Sequence, residues 1–162
     1  YETTCSMANL KKSDVVYDLY SGTGSIAIFV SQNVQEVLGF ESSESALRDA
    51  KRNAAENSRG NCEFILGDMK ERLSRDTVWK DSHPKPDVII TDPPRSGMHA
   101  RVVEEIAALG PGRIVYVSCN PATQARDVKI LCGSGYRIAR LQPLDMFPHT
   151  YHVENIALLE RR

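Results

Sequence analysis

DLYSGTGS, residues 18–25, is the stretch on which the reading of the fold turns. It joins the apolar run VVYDLY (15–20) to the helical pattern IAIFVSQN (26–33). Gly22 and Gly24 allow a tight turn and let a ligand approach the backbone with no Cβ in its path. A strand, a glycine turn and a helix in that order open a β–α unit, and the rest of the chain repeats the alternation.

EVLGFE (36–41) precedes SESALRDAKRNAAENS (43–58), where Ala46, Leu47, Ala50 and Ala54 recur at helical spacing. CEFIL (62–66) precedes a charged segment containing Trp79, expected to be helical. DVIITD (87–92) leads through PPRSG into HARVVEEIAAL (99–109). RIVYVS (113–118) leads into PATQARDVKILCGSG (121–135), whose Gly133 and Gly135 suit a helix stop. YRIARLQPL (136–144) and NIALLE (155–160) follow as strands with only a loop between them. The pattern predicts an α/β fold: a mostly parallel seven-stranded sheet, helices on both faces and a C-terminal antiparallel hairpin at one edge. It predicts one domain over residues 1–162. The opening YETTCSMANLKKSD (1–14) reads as the end of a helix already under way, as expected for the C-terminal part of a longer protein.

Composition narrows the classes. The chain is 41% hydrophobic and 25% charged, ordinary for a domain with a real core, and no apolar run is long enough to span a bilayer. Cys5, Cys62, Cys119 and Cys132 are scattered without a Cys-x-x-Cys pair. That argues against a zinc ribbon or a disulfide framework and for a reducing compartment, cytoplasmic or, in a eukaryote, nuclear. The formal net charge of −1 gives no global basic field for nucleic acid.

The ends of successive strands carry the chemistry. Glu41 ends the second strand, where a carboxylate can accept hydrogen bonds from both hydroxyls of a ribose. Asp68 follows the third, where an adenine amino group can be held. With the glycine loop these make a nucleoside site; NAD is the nearer rival, since GTGSIA can be forced onto Gly-x-Gly-x-x-Ala. TDPPRSG (91–97) puts Asp92 and Arg95 on a rigid turn at the carboxyl edge of the sheet, the ligand edge of open α/β sheets.

Cys119 stands at the same edge. Asn120 is a good N-cap and Pro121 a good first helical residue, so a helix starts beside the thiol and its dipole favours thiolate. That context fits a nucleophile, whereas Cys62 and Cys132 fit structural roles. In LDMFPHTYHVE (144–154), His149, His152 and Glu154 lack convincing metal-ligand spacing, so no metal is expected. A base and a substrate-binding loop are the more economical reading.

In order, DLYSGTGS, DPPRSG, SCNPAT and DMFPHTYHVE resemble the S-adenosylmethionine-dependent RNA uracil-5-methyltransferase family over nearly the whole chain, as its catalytic domain. The resemblance implies a Rossmann-like class I methyltransferase fold, S-adenosylmethionine as cofactor and structured RNA, tRNA or rRNA, as partner. It implies Cys119 as the nucleophile adding to C6 of uracil and Glu154 as the base removing the C5 proton. By the same matching Tyr20, Ser25, Glu41, Asp68 and Asp92 line the cofactor site with Gly22 and Gly24. Ser21 and Thr23 depart from the family's more frequent Cys and Val. The family's upstream cofactor-contacting Phe-Gln segment and RNA-binding region are not among these residues, so poor methylation by the 162 residues alone is expected. The rivals are an N-methyltransferase using Asp92-Pro93-Pro94, a non-catalytic module that presents RNA, and last a dehydrogenase.

Overall fold

The computed structural model describes residues 1–75, 83–146, 148–150 and 152–162. Seven helices are found there: α1 (Glu2–Ala8), α2 (Ser25–Val30), α3 (Glu44–Glu56), α4 (Met69–Arg75), α5 (Ala100–Leu109), α6 (Pro121–Gly133) and a single 3₁₀ turn (Ser31–Asn33) after α2. The strands are β1 (Val15–Leu19), β2 (Glu36–Glu41), β3 (Cys62–Leu66), β4 (Val88–Thr91), β5 (Arg113–Ser118), β6 (Tyr136–Leu144) and β7 (Glu154–Arg161). Every strand expected from the sequence is present; the expected helix around Trp79 lies outside the described residues beyond Arg75.

The strands form one sheet in the order β3-β2-β1-β4-β5-β7-β6. The first five are parallel, and β7 runs antiparallel to both β5 and β6. β1 and β4 are buried along their full lengths, as continuous apolar strands covered on both faces must be. Side chains alternate between two layers. Tyr17, Leu19, Ile89 and Tyr116 pack under α4, α5 and α6, while Val16, Val88, Ile90 and Val115 pack under α1, α2 and α3. Each fully buried side chain of this size removes about 1.5–3 kcal/mol of apolar exposure.

Two features place the site. Chain order runs outward from β1 to β3, then returns to β4 beside β1, so the topological switch lies between β1 and β4. The crevice beyond their carboxyl ends is where such sheets bind ligands. The terminal hairpin also folds back so that β7, and not β6, pairs with β5, leaving β6 as the edge. Among the described residues no helix is long and apolar enough to cross a membrane.

Candidate active site

The glycine loop leaves β1 through Tyr20 at φ +63°, Gly22 at +54° and Gly24 at +83°. Ser21 N–H donates to Phe40 O at 2.9 Å and Gly24 N–H to Ser21 O at 2.8 Å, closing the turn. Glu41 ties this loop to the next: Gly22 N–H donates to its Oε2 at 2.9 Å and Ser43 N–H to its Oε1 at 2.7 Å. Oε1 also accepts from Ser42 Oγ at 3.3 Å, whereas Oε2 keeps a lone pair for a further donor. The two glycines differ in their surroundings. A Cβ on Gly22 would meet nothing within 4 Å, so the space above it is open to a ligand. A Cβ on Gly24 would lie 2.8 Å from the ring of Phe64, so the missing side chain there makes room for that ring. Gly39 has the same role, with Phe64 at 2.6 Å.

Asp18 lies buried beneath this loop. Ala27 N–H donates to its Oδ2 at 3.1 Å, while Oδ1 has no partner among the described residues. Burial first, then the neighbouring Asp92 and Glu41 carboxylates, push it up to about 8 against the opposing Ala27 bond.

Tyr20, Ser42, Asp68, Met69, Lys70, His99 and Val102 enclose a hollow of 200 Å³ beside the loop. The structure thus brings Tyr20 and Asp68 together, with Ser42 next to Glu41. Burial, then Asp68 and Asp127, raise the Tyr20 hydroxyl to about 12, so it remains a neutral donor. Lys70 N–H donates to Asp68 Oδ1 at 2.8 Å. His99 accepts from Arg101 N–H at 3.2 Å through Nδ1, which assigns the ring proton of the neutral form to Nε2. Ser25, the exposed first residue of α2, is not part of that hollow; its hydroxyl lies 3.4 Å from that of Thr23.

A second hollow, 400 Å³, is lined by Arg95, Cys119, Asn120, Pro121, His152 and Val153. Cys119 is half-buried, as are the other three cysteines, so its place and not its exposure sets it apart. The cap expected at α6 is present: Asn120 Oδ1 accepts from Ala122 N–H at 3.1 Å, and Pro121 opens the helix. The helix also grips the loop after β4. Asn120 Nδ2 and Thr123 Oγ1 donate to Arg95 O at 3.0 and 3.2 Å. Arg126 donates to Ser96 O and Met98 O, and buried Asp127 accepts from Met98 N–H at 2.8 Å.

Glu154 is the first residue of β7. Ser118 faces Asn155 across the antiparallel β5–β7 pair, so one further step of that register sets Cys119 opposite Glu154. Asp92, just past β4, still reaches solvent, but its crowded surroundings and then Glu154 raise it to about 6. Asp92 therefore lies within electrostatic reach of Glu154. His149 is exposed at φ +69°, and no group of three metal-binding side chains occurs among the described residues.

Asp18, His99, Gln124, Asp127 and Asn155 escaped the sequence reading. A signal existed for two of them. Gln124, Asp127, Val128 and Leu131 recur at helical spacing and all are buried, so α6 carries two polar residues on its core face.

A family profile for tRNA (uracil-5-)-methyltransferases matches residues 1–162. An uncharacterized RNA methyltransferase of Bacteroides thetaiotaomicron is 52% identical over 162 residues, covering 100% of this chain and 35% of that protein. A second, of Porphyromonas gingivalis, is 49% identical, covering 99% and 34%. The crystal structure of Pyrococcus abyssi tRNA (uracil-54, C5)-methyltransferase in complex with S-adenosyl-L-homocysteine superposes with a TM-score of 0.80 at 39% identity, covering 98% of this chain and 37% of that one. TrmN of Thermus thermophilus, at 17% identity and a TM-score of 0.77 over 99% of this chain and 48% of that one, shares the fold. The chain spans about a third of the length of the curated relatives it matches. It has the class I methyltransferase fold and belongs to the tRNA (uracil-5-)-methyltransferase family.

Proposed function

We propose that the protein transfers a methyl group from S-adenosylmethionine to C5 of a uridine in tRNA or rRNA, with Cys119 as nucleophile and Glu154 as base. The observation that carries this is the convergence of Cys119, just after β5, and Glu154, at the start of β7, beside Asp92 at the switch point. The residues present fit the cofactor. Open space over Gly22 admits it, Glu41 Oε2 keeps a lone pair for a ribose hydroxyl, and Tyr20 and Asp68 line a hollow of nucleoside character. When bound, S-adenosylmethionine supplies an electrophilic methyl group.

The protein residues supply the rest. C5 of uracil is too weak a nucleophile unaided. The Cys119 thiolate bonds to C6, and the electron pair of the C5–C6 double bond becomes available at C5. C5 then takes the methyl. Glu154 accepts the C5 proton, the double bond re-forms, the Sγ–C6 bond breaks and the thiolate returns. Asp92, rigidly held after β4, orients the donor side of the site. The uridine leaves its stack to reach a thiol that lines a 400 Å³ hollow, which suits a loop of structured RNA. With a formal charge of −1, these residues supply chemistry, and the choice of RNA rests on sequence outside them. Such a substrate makes the protein intracellular.

The test uses a short structured RNA carrying 5-fluorouridine at the target position, incubated with the full-length gene product and S-adenosylmethionine. Fluorine cannot leave as a proton does, so a covalent protein–RNA adduct is expected on a denaturing gel, absent in Cys119→Ala. Methylation that persists in Cys119→Ala, with no adduct in the parent protein, would instead support an N-methyltransferase built on Asp92-Pro93-Pro94.

A further inference from the structure

Behind the Cys119–Glu154 pair sits a buried polar clasp. Gln124, on the core face of α6, is 3% exposed. Its Nε2 donates to Tyr116 O on β5 at 2.8 Å and to Asn155 O on β7 at 3.1 Å. The Asn155 side-chain amide donates back to Gln124 Oε1 at 2.5 Å. The neighbours of Gln124 on that face include Val128 and Leu131, so an apolar residue would satisfy packing there. Three hydrogen bonds instead join one helix to the strand that precedes Cys119 and to the strand that begins at Glu154.

The clasp bears unequally on those groups. Cys119 has its own supports: Asn120 N–H donates to Ser118 Oγ at 3.0 Å, and Asn120 both caps α6 and holds Arg95 O. No side-chain hydrogen bond to Glu154 occurs among the described residues, so its carboxylate is placed by its backbone. That backbone enters β7 next to Asn155. We propose that Gln124, through Asn155, is a positioning residue for Glu154, acting on removal of the C5 proton rather than on attack by Cys119. The proposal rests on the assignment of Cys119 and Glu154 above.

The order of steps makes this testable. Attack forms the Sγ–C6 bond and methyl transfer forms the C5–CH₃ bond before any proton leaves C5. If the base is displaced, the C5–H bond persists, the double bond cannot re-form and Cys119 stays attached to a methylated nucleotide. A loosened clasp therefore traps the enzyme on ordinary uridine, whereas general destabilisation lowers adduct and product together.

The full-length gene product is incubated with methyl-tritiated S-adenosylmethionine and total RNA from cells lacking the gene. Tritium is then read in released RNA and in a protein–RNA band on a denaturing gel. Glu154→Gln marks full trapping and Cys119→Ala none. Gln124→Met, which keeps the volume and loses the hydrogen bonds, should turn over about ten- to a hundredfold more slowly and accumulate the tritiated adduct. Asn155→Ser opens the clasp from the other side and should trap likewise, which keeps the test alive if Gln124→Met does not fold. Slower turnover in both variants with no adduct, while Glu154→Gln traps, would overturn the positioning role. Absence of an adduct in Glu154→Gln itself would remove the underlying assignment, and the clasp's role with it.

Discussion

Asn120 Nδ2 donates to the carbonyl oxygen of Arg95 at 3.0 Å, while Oδ1 of the same side chain accepts from Ala122 N–H at 3.1 Å. One amide thus starts the helix after Cys119 and holds the turn that follows Asp92. It joins the nucleophile's loop to the loop after β4 beside the further bonds from Thr123, Arg126 and Asp127.

Asn120→Ala should lose both functions. Loss of the cap costs about 1 kcal/mol, or roughly 2–4 °C in Tm for a chain of this size. Asn120→Asp keeps a cap acceptor and loses the donor to Arg95. It should therefore hold most of the Tm yet slow adduct formation on fluorouridine RNA about tenfold. Equal rates for Asn120→Asp and the parent protein would show that the Arg95 bond contributes nothing to the chemistry.

Gly22 and Gly24 should respond differently to alanine. Both sit at positive φ, so each substitution carries about 1–2 kcal/mol of backbone strain. Only at Gly24 does the new methyl meet Phe64 at 2.8 Å, adding about 1–3 kcal/mol of overpacking. Thermal melting should place Gly24→Ala well below Gly22→Ala. Titration calorimetry with S-adenosylhomocysteine should show the larger affinity loss per degree of Tm in Gly22→Ala, whose methyl projects into open space.

Asp18 makes stability depend on pH. Its folded value of about 8 lies above its ordinary 3.8, so the native state holds a proton that the unfolded chain has released. Its contribution is complete below about 4 and is lost as pH rises through about 8. Asp18→Asn preserves an acceptor for Ala27 N–H and abolishes the titration. Its Tm relative to the parent protein should rise by several degrees between pH 5 and pH 9; a constant difference would contradict the assignment.

Asp92 should govern the pH dependence of cofactor affinity. Raised to about 6 by its crowded setting and by Glu154, it is ionised above that value and neutral below. S-adenosylhomocysteine affinity should fall as pH drops through about 6. In Glu154→Gln one of the two causes is gone, so the midpoint should move to lower pH. Calorimetry from pH 5 to 8 reads both curves, and an unmoved midpoint would dissociate Asp92 from Glu154.

The amino-acid sequence by itself determined the strands, the helix starts and most of the candidate residues, because those signals are local. Alternation of apolar runs, the Asn120-Pro121 start and the Gly22–Gly24 turn are each written within a few neighbouring positions. Cys119, Glu41 and Asp68 were legible because each falls at or just beyond the end of a strand, whereas Glu154 was picked out by the family resemblance of its loop. The packing of Phe64 against Gly24 was not legible, since Phe64 reaches it from another strand. Nor was the Gln124–Asn155 clasp, whose partners come from a helix and a distant strand. A hairpin of β6 and β7 can be read from the chain, but not which member faces β5. The fold inserts β7, whose Ile156–Leu159 are buried, and leaves the largely exposed β6 outside. Only that non-local choice, driven by burial of the more apolar strand, carries Glu154 to Cys119.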